Sequence, residues 1–105
     1  MSKEKDYNNH KKEFMENINK EYHTFRKSML LKNPQEIYES YGEIYFYECL
    51  YEYFQYNENI DGSFIDLVHD TKNIISKLEY IYEDNEYLTV YTWNGIDNII
   101  DYYMQ

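Results

Sequence analysis

Apolar residues return at Phe14, Ile18, Tyr22, Phe25 and Met29, in steps of four, four, three and four. That is one stripe of a 3.6-residue period, and it predicts an amphipathic helix. Lys11, Lys12, Lys20, Arg26 and Lys27 lie off the stripe, and the pattern stops near Leu31. Residues 1–5 precede it and are expected to fray. Asn33-Pro34-Gln35-Glu36 comes next. Asn caps a helix, Pro suits the first helical position because its missing N–H had no partner there, and Glu three residues on closes a capping box. A second helix is therefore expected from Pro34. Ile37, Tyr41, Ile44 and Tyr45 share one of its faces, while Phe46, Cys49, Leu50, Tyr53 and Phe54 share a nearly opposite one. A helix covered on two sides accounts for the switch, as would a bend near Gly42. The preferred reading is a central, two-sided helix.

Asn57-Glu58-Asn59-Ile60-Asp61-Gly62 is rich in turn formers. Ser63, with Asp66 three residues on, has the pattern of a second capping box and predicts a short helix through Leu67 and Val68. Asp70 or Thr71 is the expected cap of the next helix, whose stripe is Ile74, Ile75, Leu78, Ile81 and Tyr82. Glu83-Asp84-Asn85-Glu86 interrupts it. Residues 87–93 alternate as a strand would, but no second good strand is present to pair with them. Leu88, Tyr91, Ile96, Ile99, Ile100 and Tyr103 also fit a helical stripe, so helix is the preferred reading, with a break at Asn94-Gly95. The expectation is an all-α chain in which residues 1–105 form one domain, a bundle of four or five helices around a central second helix. A chain of 105 residues has room for one core.

Charge changes this picture. Residues 1–32 hold eight Lys/Arg and five Asp/Glu, a net of +3; residues 33–105 hold two Lys and fifteen Asp/Glu, a net of −13. Base composition favours Tyr, Asn, Ile, Lys and Glu together, because their codons are AT-rich. It does not explain why lysine nearly vanishes after Lys32. No Lys or Arg occurs between Asn33 and Thr71, or after Lys77. So one-signed a field repels nucleic acid and anionic membranes and attracts basic surfaces. Direct binding of nucleic acid is not expected. There is no apolar run long enough to span a bilayer and no apolar stretch of the signal-peptide kind near Met1. Cys49 stands alone, which suits a reducing, cytoplasmic compartment.

Candidate chemistry is thin. His10, His23, His69 and Cys49 form no pair at a metal-ligand spacing, and residues 57–66 lack the register of a calcium loop. Gly42, Gly62 and Gly95 are isolated, so no phosphate-binding loop is present. Cys49 sits on an apolar face, where a thiol is inert. No catalytic residue, cofactor or metal is expected. The informative set is acidic. Glu36, Glu39 and Glu43 share one side of the second helix, and Glu48 and Glu52 are an i, i+4 pair. Neighbours at these spacings have Cβ atoms about 5–6 Å apart, comparable with successive phosphates. A phosphate mimic centred on Glu36, Glu39 and Glu43, with Glu48, Glu52, Asp61 and Asp66 as the next tier, is one reading; an ordinary solvated face is the other. Seven tyrosines fall between Tyr38 and Tyr56, more than so small a domain can bury. Exposed Tyr beside carboxylate makes a good protein-binding surface. Tyr38 and Tyr47 are the aromatics expected nearest the acidic face.

The order of a Phe-bearing helix, Met29-Leu30-Leu31, Asn33-Pro34-Gln35-Glu36-Ile37, a tyrosine stretch from Tyr41 to Tyr45 and Glu48-Cys49-Leu50 resembles an uncharacterised family of short helical proteins found in Firmicutes and their phages and mobile elements. The resemblance covers roughly residues 14–103. It departs from the family's pattern at Asn33, where a second Pro is usual, and around Tyr47, where the family is more polar. It implies an all-helical fold, no known catalysis or cofactor, and no functional residues to carry over. In size and charge, though not in motif, the chain is also similar to anti-CRISPR and anti-restriction inhibitors. The leading expectation is a stoichiometric inhibitor that sets its carboxylates in the basic groove of a nucleic-acid-binding defence protein, a CRISPR (Cas) effector foremost. The rival is a structural or regulatory interaction module, a monomer or a homodimer, with no connection to nucleic acid.

Overall fold

The structure, a computed structural model, describes residues 3–105, with side chains from Asp6 onward. Of residues 1–5, expected to fray, 1–2 lie outside the described residues, and 3–5 are instead the first residues of α1. Six helices follow one another: α1 (Lys3–Leu30), α2 (Pro34–Glu39), α3 (Tyr41–Tyr56), α4 (Gly62–Val68), α5 (Ile74–Glu83) and α6 (Trp93–Met104). No strand occurs among the described residues.

The α1 stripe is buried as its period requires. Phe14, Ile18 and Tyr22 are fully covered, and Phe25 and Met29 are half-buried. α1 packs on α3, α4 and α5; α3 also meets α5 and α6, which pack on each other. α3 is therefore the central helix. It contributes Phe46, Tyr47, Leu50, Tyr53 and Phe54 to the core. Phe14 meets Phe54 edge-on at 5.2 Å and Phe64 at 6.0 Å, so α1, α3 and α4 share one aromatic centre. Ile74, Ile75, Leu78, Ile96, Ile99 and Ile100 complete the core from α5 and α6.

The helix expected to run unbroken from Pro34 is two helices. The capping box forms as expected: Asn33 Oδ1 accepts from Glu36 N at 2.9 Å, and Asn33 N donates to Glu36 Oε1 at 3.0 Å. The break, however, lies at Ser40 and not at Gly42. The Ser40 hydroxyl donates to the Glu36 carbonyl at 2.9 Å while its own N–H is shared between the Glu36 and Ile37 carbonyls. Such back-bonding bends helices. The break supplies the sixth helix and takes α2 out of the core, since α2 has no buried residue. The face of Ile37, Tyr41 and Tyr45 is accordingly exposed, with Ile44 half-buried.

Three other local expectations are corrected. Ser63 and Asp66 form no capping box; Asp61 Oδ1 caps α4 by accepting from Ser63 N at 2.9 Å, and Asp66 turns to His10. Neither Asp70 nor Thr71 caps α5. Its second and third N–H groups, those of Ile75 and Ser76, donate to the two oxygens of Glu21 from α1, at 2.7 and 2.8 Å. Residues 87–92 are neither helix nor strand. Asn85 and Thr89 side chains accept from the N–H groups of Tyr87 and Tyr91, closing local turns that compete with both regular forms. α6 starts behind Thr92, whose hydroxyl accepts from Gly95 N at 3.0 Å. Gly95 does not break the helix; it lets the turn sit on it. A Cβ there would lie 2.3 Å from the Thr89 carbonyl oxygen.

Candidate functional site

Glu36, Glu39 and Glu43 are exposed together on α2 and the first turn of α3, as are Glu48 and Glu52 further along α3. Several have internal duties. Glu36 closes the capping box, Glu39 accepts from Gln35 Nε2 at 3.0 Å, and Glu48 accepts from the Tyr22 hydroxyl at 2.6 Å. Asp61 caps α4 and Asp66 lies 3.0 Å from His10 Nδ1, beside the first half of α1. The centre expected at Glu36, Glu39 and Glu43 lies past the opposite end of that helix. At 1.5 Å per residue the two groups stand roughly 30 Å apart along α1. Glu43 lines a cavity with Glu79 of α5 while Glu48 turns to Tyr22 of α1, so the acids of α2 and α3 do not share one face, and Asp61 and Asp66 lie apart from them.

The two expected aromatics part company. Tyr38 is 78% exposed on α2 beside the acids. Tyr47 is only 7% exposed and stacks on Phe25 with centroids 3.8 Å apart. Burial raises the Tyr47 pKa above its ordinary value, and the nearby acids Glu21 and Glu79 push it further. It is a core residue, because it falls on the α3 face that meets α1.

Around Tyr38 the surface is more apolar than the acids alone suggest. Leu30, Leu31, Tyr38 and Tyr41 stand out, Leu31 at 89% exposure. A shallow groove of about 170 Å³ beside them is lined by Phe25, Arg26, Met29, Leu30, Ile37, Ile44 and Glu48, so one cation and one acid border its apolar floor. Leu30 and Leu31 lie off the α1 stripe, so their exposure was legible in the spacing.

A second residue was missed. Glu79 stands inside the apolar stripe of α5, four residues after Ile75 and three before Tyr82. It is 9% exposed. Burial raises its carboxyl from 4.5 to about 7, with further contributions from Glu43, Glu83 and Glu21 and a hydrogen bond with Glu43. The signal was an acid at a core position.

The histidines are brought together by the fold and not by spacing. His10 and His69 stack with centroids 3.8 Å apart. His10 Nδ1 meets Asp66 at 3.0 Å and His69 Nδ1 meets Glu13 at 2.5 Å, so α1 and α4 exchange a His–carboxylate pair in each direction. Among the described residues, no group of three or more His, Cys, Asp and Glu is placed to hold a metal ion. Cys49 is half-buried; burial raises its thiol pKa, which the Tyr45 hydroxyl partly opposes. That suppresses the reactive thiolate. No described helix is long and apolar enough to cross a membrane. Comparison with protein-family models, curated proteins and solved structures finds no match to this chain.

Proposed function

We propose that this protein acts by binding a basic surface of another protein with the acidic, tyrosine-bearing elbow of α2 and early α3. In its specific form, the proposal is that the elbow occupies the nucleic-acid-holding groove of a bacterial defence effector of the CRISPR type and inhibits it stoichiometrically. The observation that carries this reading is that α2 buries nothing yet is firmly started. It carries Glu36 and Glu39 exposed, with Glu43 just beyond, in a stretch of sequence without a Lys or Arg, and Lys32, just after α1, reaches the elbow at Ser40. Carboxylates set there compete with phosphates for Lys and Arg, so inhibition weakens as salt rises.

The exposed Leu30, Leu31, Ile37 and Tyr38 favour a second reading. A phosphate mimic needs no apolar patch, whereas an ordinary protein interface does. On that reading the protein is an interaction module with a non-nucleic-acid partner. Plasmid-interference assays in cells carrying different CRISPR systems separate the two. Restored transformation on expression of this protein, in at least one system, supports the inhibitor. Unchanged interference across the panel sinks it and leaves the interaction module.

A further inference from the structure

A carboxylate held among apolar side chains needs a donor, a cation or a proton. Glu79 is 9% exposed, and among the side chains that share its cavity wall from α3 is another acid, Glu43. No salt bridge of the described residues reaches it. It lines a cavity of about 290 Å³ whose walls include Tyr41, Glu43, Tyr45, Tyr82 and Tyr91. The tyrosines form a connected set: Tyr41 and Tyr45 have centroids 6.4 Å apart, and Tyr45 and Tyr91 5.8 Å. Among the described residues, no Lys or Arg lines this cavity. Tyrosines lining one cavity with two carboxylates suit an organic cation, which the aromatic quadrupoles attract and the carboxylates neutralise. Two neighbouring acids match the planar, forked donors of a guanidinium better than the single point of an ammonium, and guanidinium also gives up its water more readily.

We propose that this cavity captures the guanidinium group of an arginine side chain presented by a partner protein. The inference rests on the reading that the acidic elbow meets a basic protein surface, and it supplies that contact with one defined anchor. Glu43 belongs to both: it is exposed on α3 and it lines the cavity. Capture requires Glu79 to be ionised. The groups facing it are Glu43 from α3, Glu83 from its own helix and Glu21 from α1, with Tyr47 beside them. All are acidic, so the arriving cation displaces a proton, and affinity rises as pH passes upward through neutrality.

Nitrogen-15-labelled protein is titrated with N-acetyl-arginine amide, with its neutral isostere N-acetyl-citrulline amide and with N-acetyl-lysine amide, on either side of neutral pH. The expected result is saturable amide shifts confined to residues 42–46, 79–83 and 90–91 with the arginine amide, tighter above neutrality. Glu79→Gln should weaken binding by about tenfold and flatten its pH dependence, as the loss of one charge-assisted partner implies. Tyr91→Ala, in an exposed turn, should weaken it severalfold. Equal binding of the citrulline amide, or parental affinity in Glu79→Gln, overturns the proposal; equal binding of the lysine amide overturns the choice of guanidinium. No defence effector takes part in this titration. Failure of the plasmid assay therefore leaves the cavity standing, and failure of the titration leaves the inhibitor reading standing.

Discussion

Glu79 shows how one side chain contributes to the pH dependence of the fold. Its carboxyl is raised from 4.5 to about 7, first by burial and then by Glu43, Glu83 and Glu21. Between those values the folded chain holds a proton that the unfolded chain has released. The contribution to stability is full below about 4.5 and is lost as pH rises through about 7. Glu79→Gln keeps the shape and removes the charge, so it should stabilise the protein above neutrality by about 1–3 kcal/mol. Urea denaturation across a pH series checks this; an unchanged slope between pH 5 and 8, about the span concerned, would show that Glu79 is not the group responsible. Gly95 carries the opposite lesson. Alanine is the better helix former by about 1 kcal/mol, yet the Cβ of Gly95→Ala would meet the Thr89 carbonyl at 2.3 Å. The expected outcome is a loss of about 1–3 kcal/mol, read from the urea midpoint. Glu79 could have been picked out from the sequence, as an acid in an apolar stripe. The role of Gly95 could not, because it depends on where a turn five or six residues earlier comes to rest.

The α2–α3 elbow is the element on which the functional reading turns. Its start was legible, since Asn33, Pro34 and Glu36 are neighbours in sequence and act on one another alone. Its break was not. Whether the Ser40 hydroxyl bonds back to Glu36 or faces water is decided by what surrounds it, including Lys32 Nζ at 3.2 Å. The caps of α4 and α5 were misplaced for related reasons: Asp61 outcompeted Ser63 locally, and the acid that caps α5 comes from another helix. Replacing Glu36, Glu39 and Glu43 together with Gln tests the elbow. Gln can retain the capping-box acceptor, and at position 43 it can donate to Glu79, so melting temperature should stay level or rise. Binding to the partner should fall clearly only for the triple change, because exposed charge pairs contribute about 0.2–1 kcal/mol each. A triple variant that inhibits like the parent would move the contact to the apolar patch of Leu30, Leu31 and Tyr38.

At the scale of the molecule, the cations sit mostly on α1 and the acids on everything after it. The helical class was legible because each stripe repeats at a helical period over several turns. The pairing of stripes was not, since nothing local says that α1 meets α4 through exchanged His–carboxylate pairs. The net charge of −10 predicts no tight binding of duplex DNA or RNA. A gel shift at moderate salt tests that, and retention of either nucleic acid would reassign α1 as a binding arm. The Glu21 contact has a further consequence, for how the molecule opens. Ile75 and Ser76 take their hydrogen-bond acceptor from a residue 54 and 55 positions earlier, so the start of α5 cannot unravel alone without stranding a half-buried carboxylate. Their amide protons should exchange with solvent only in openings that also part α1 from α5. In Glu21→Ala those two protons should exchange far faster while amides in the middle of α3 keep their protection, as measured by native-state hydrogen exchange. Equal protection in parent and variant would mean that α5 frays independently of α1. The expected pattern would make the two helices one cooperative unit, so that a chain shortened from its N-terminus past residue 21 should lose α5 along with α1.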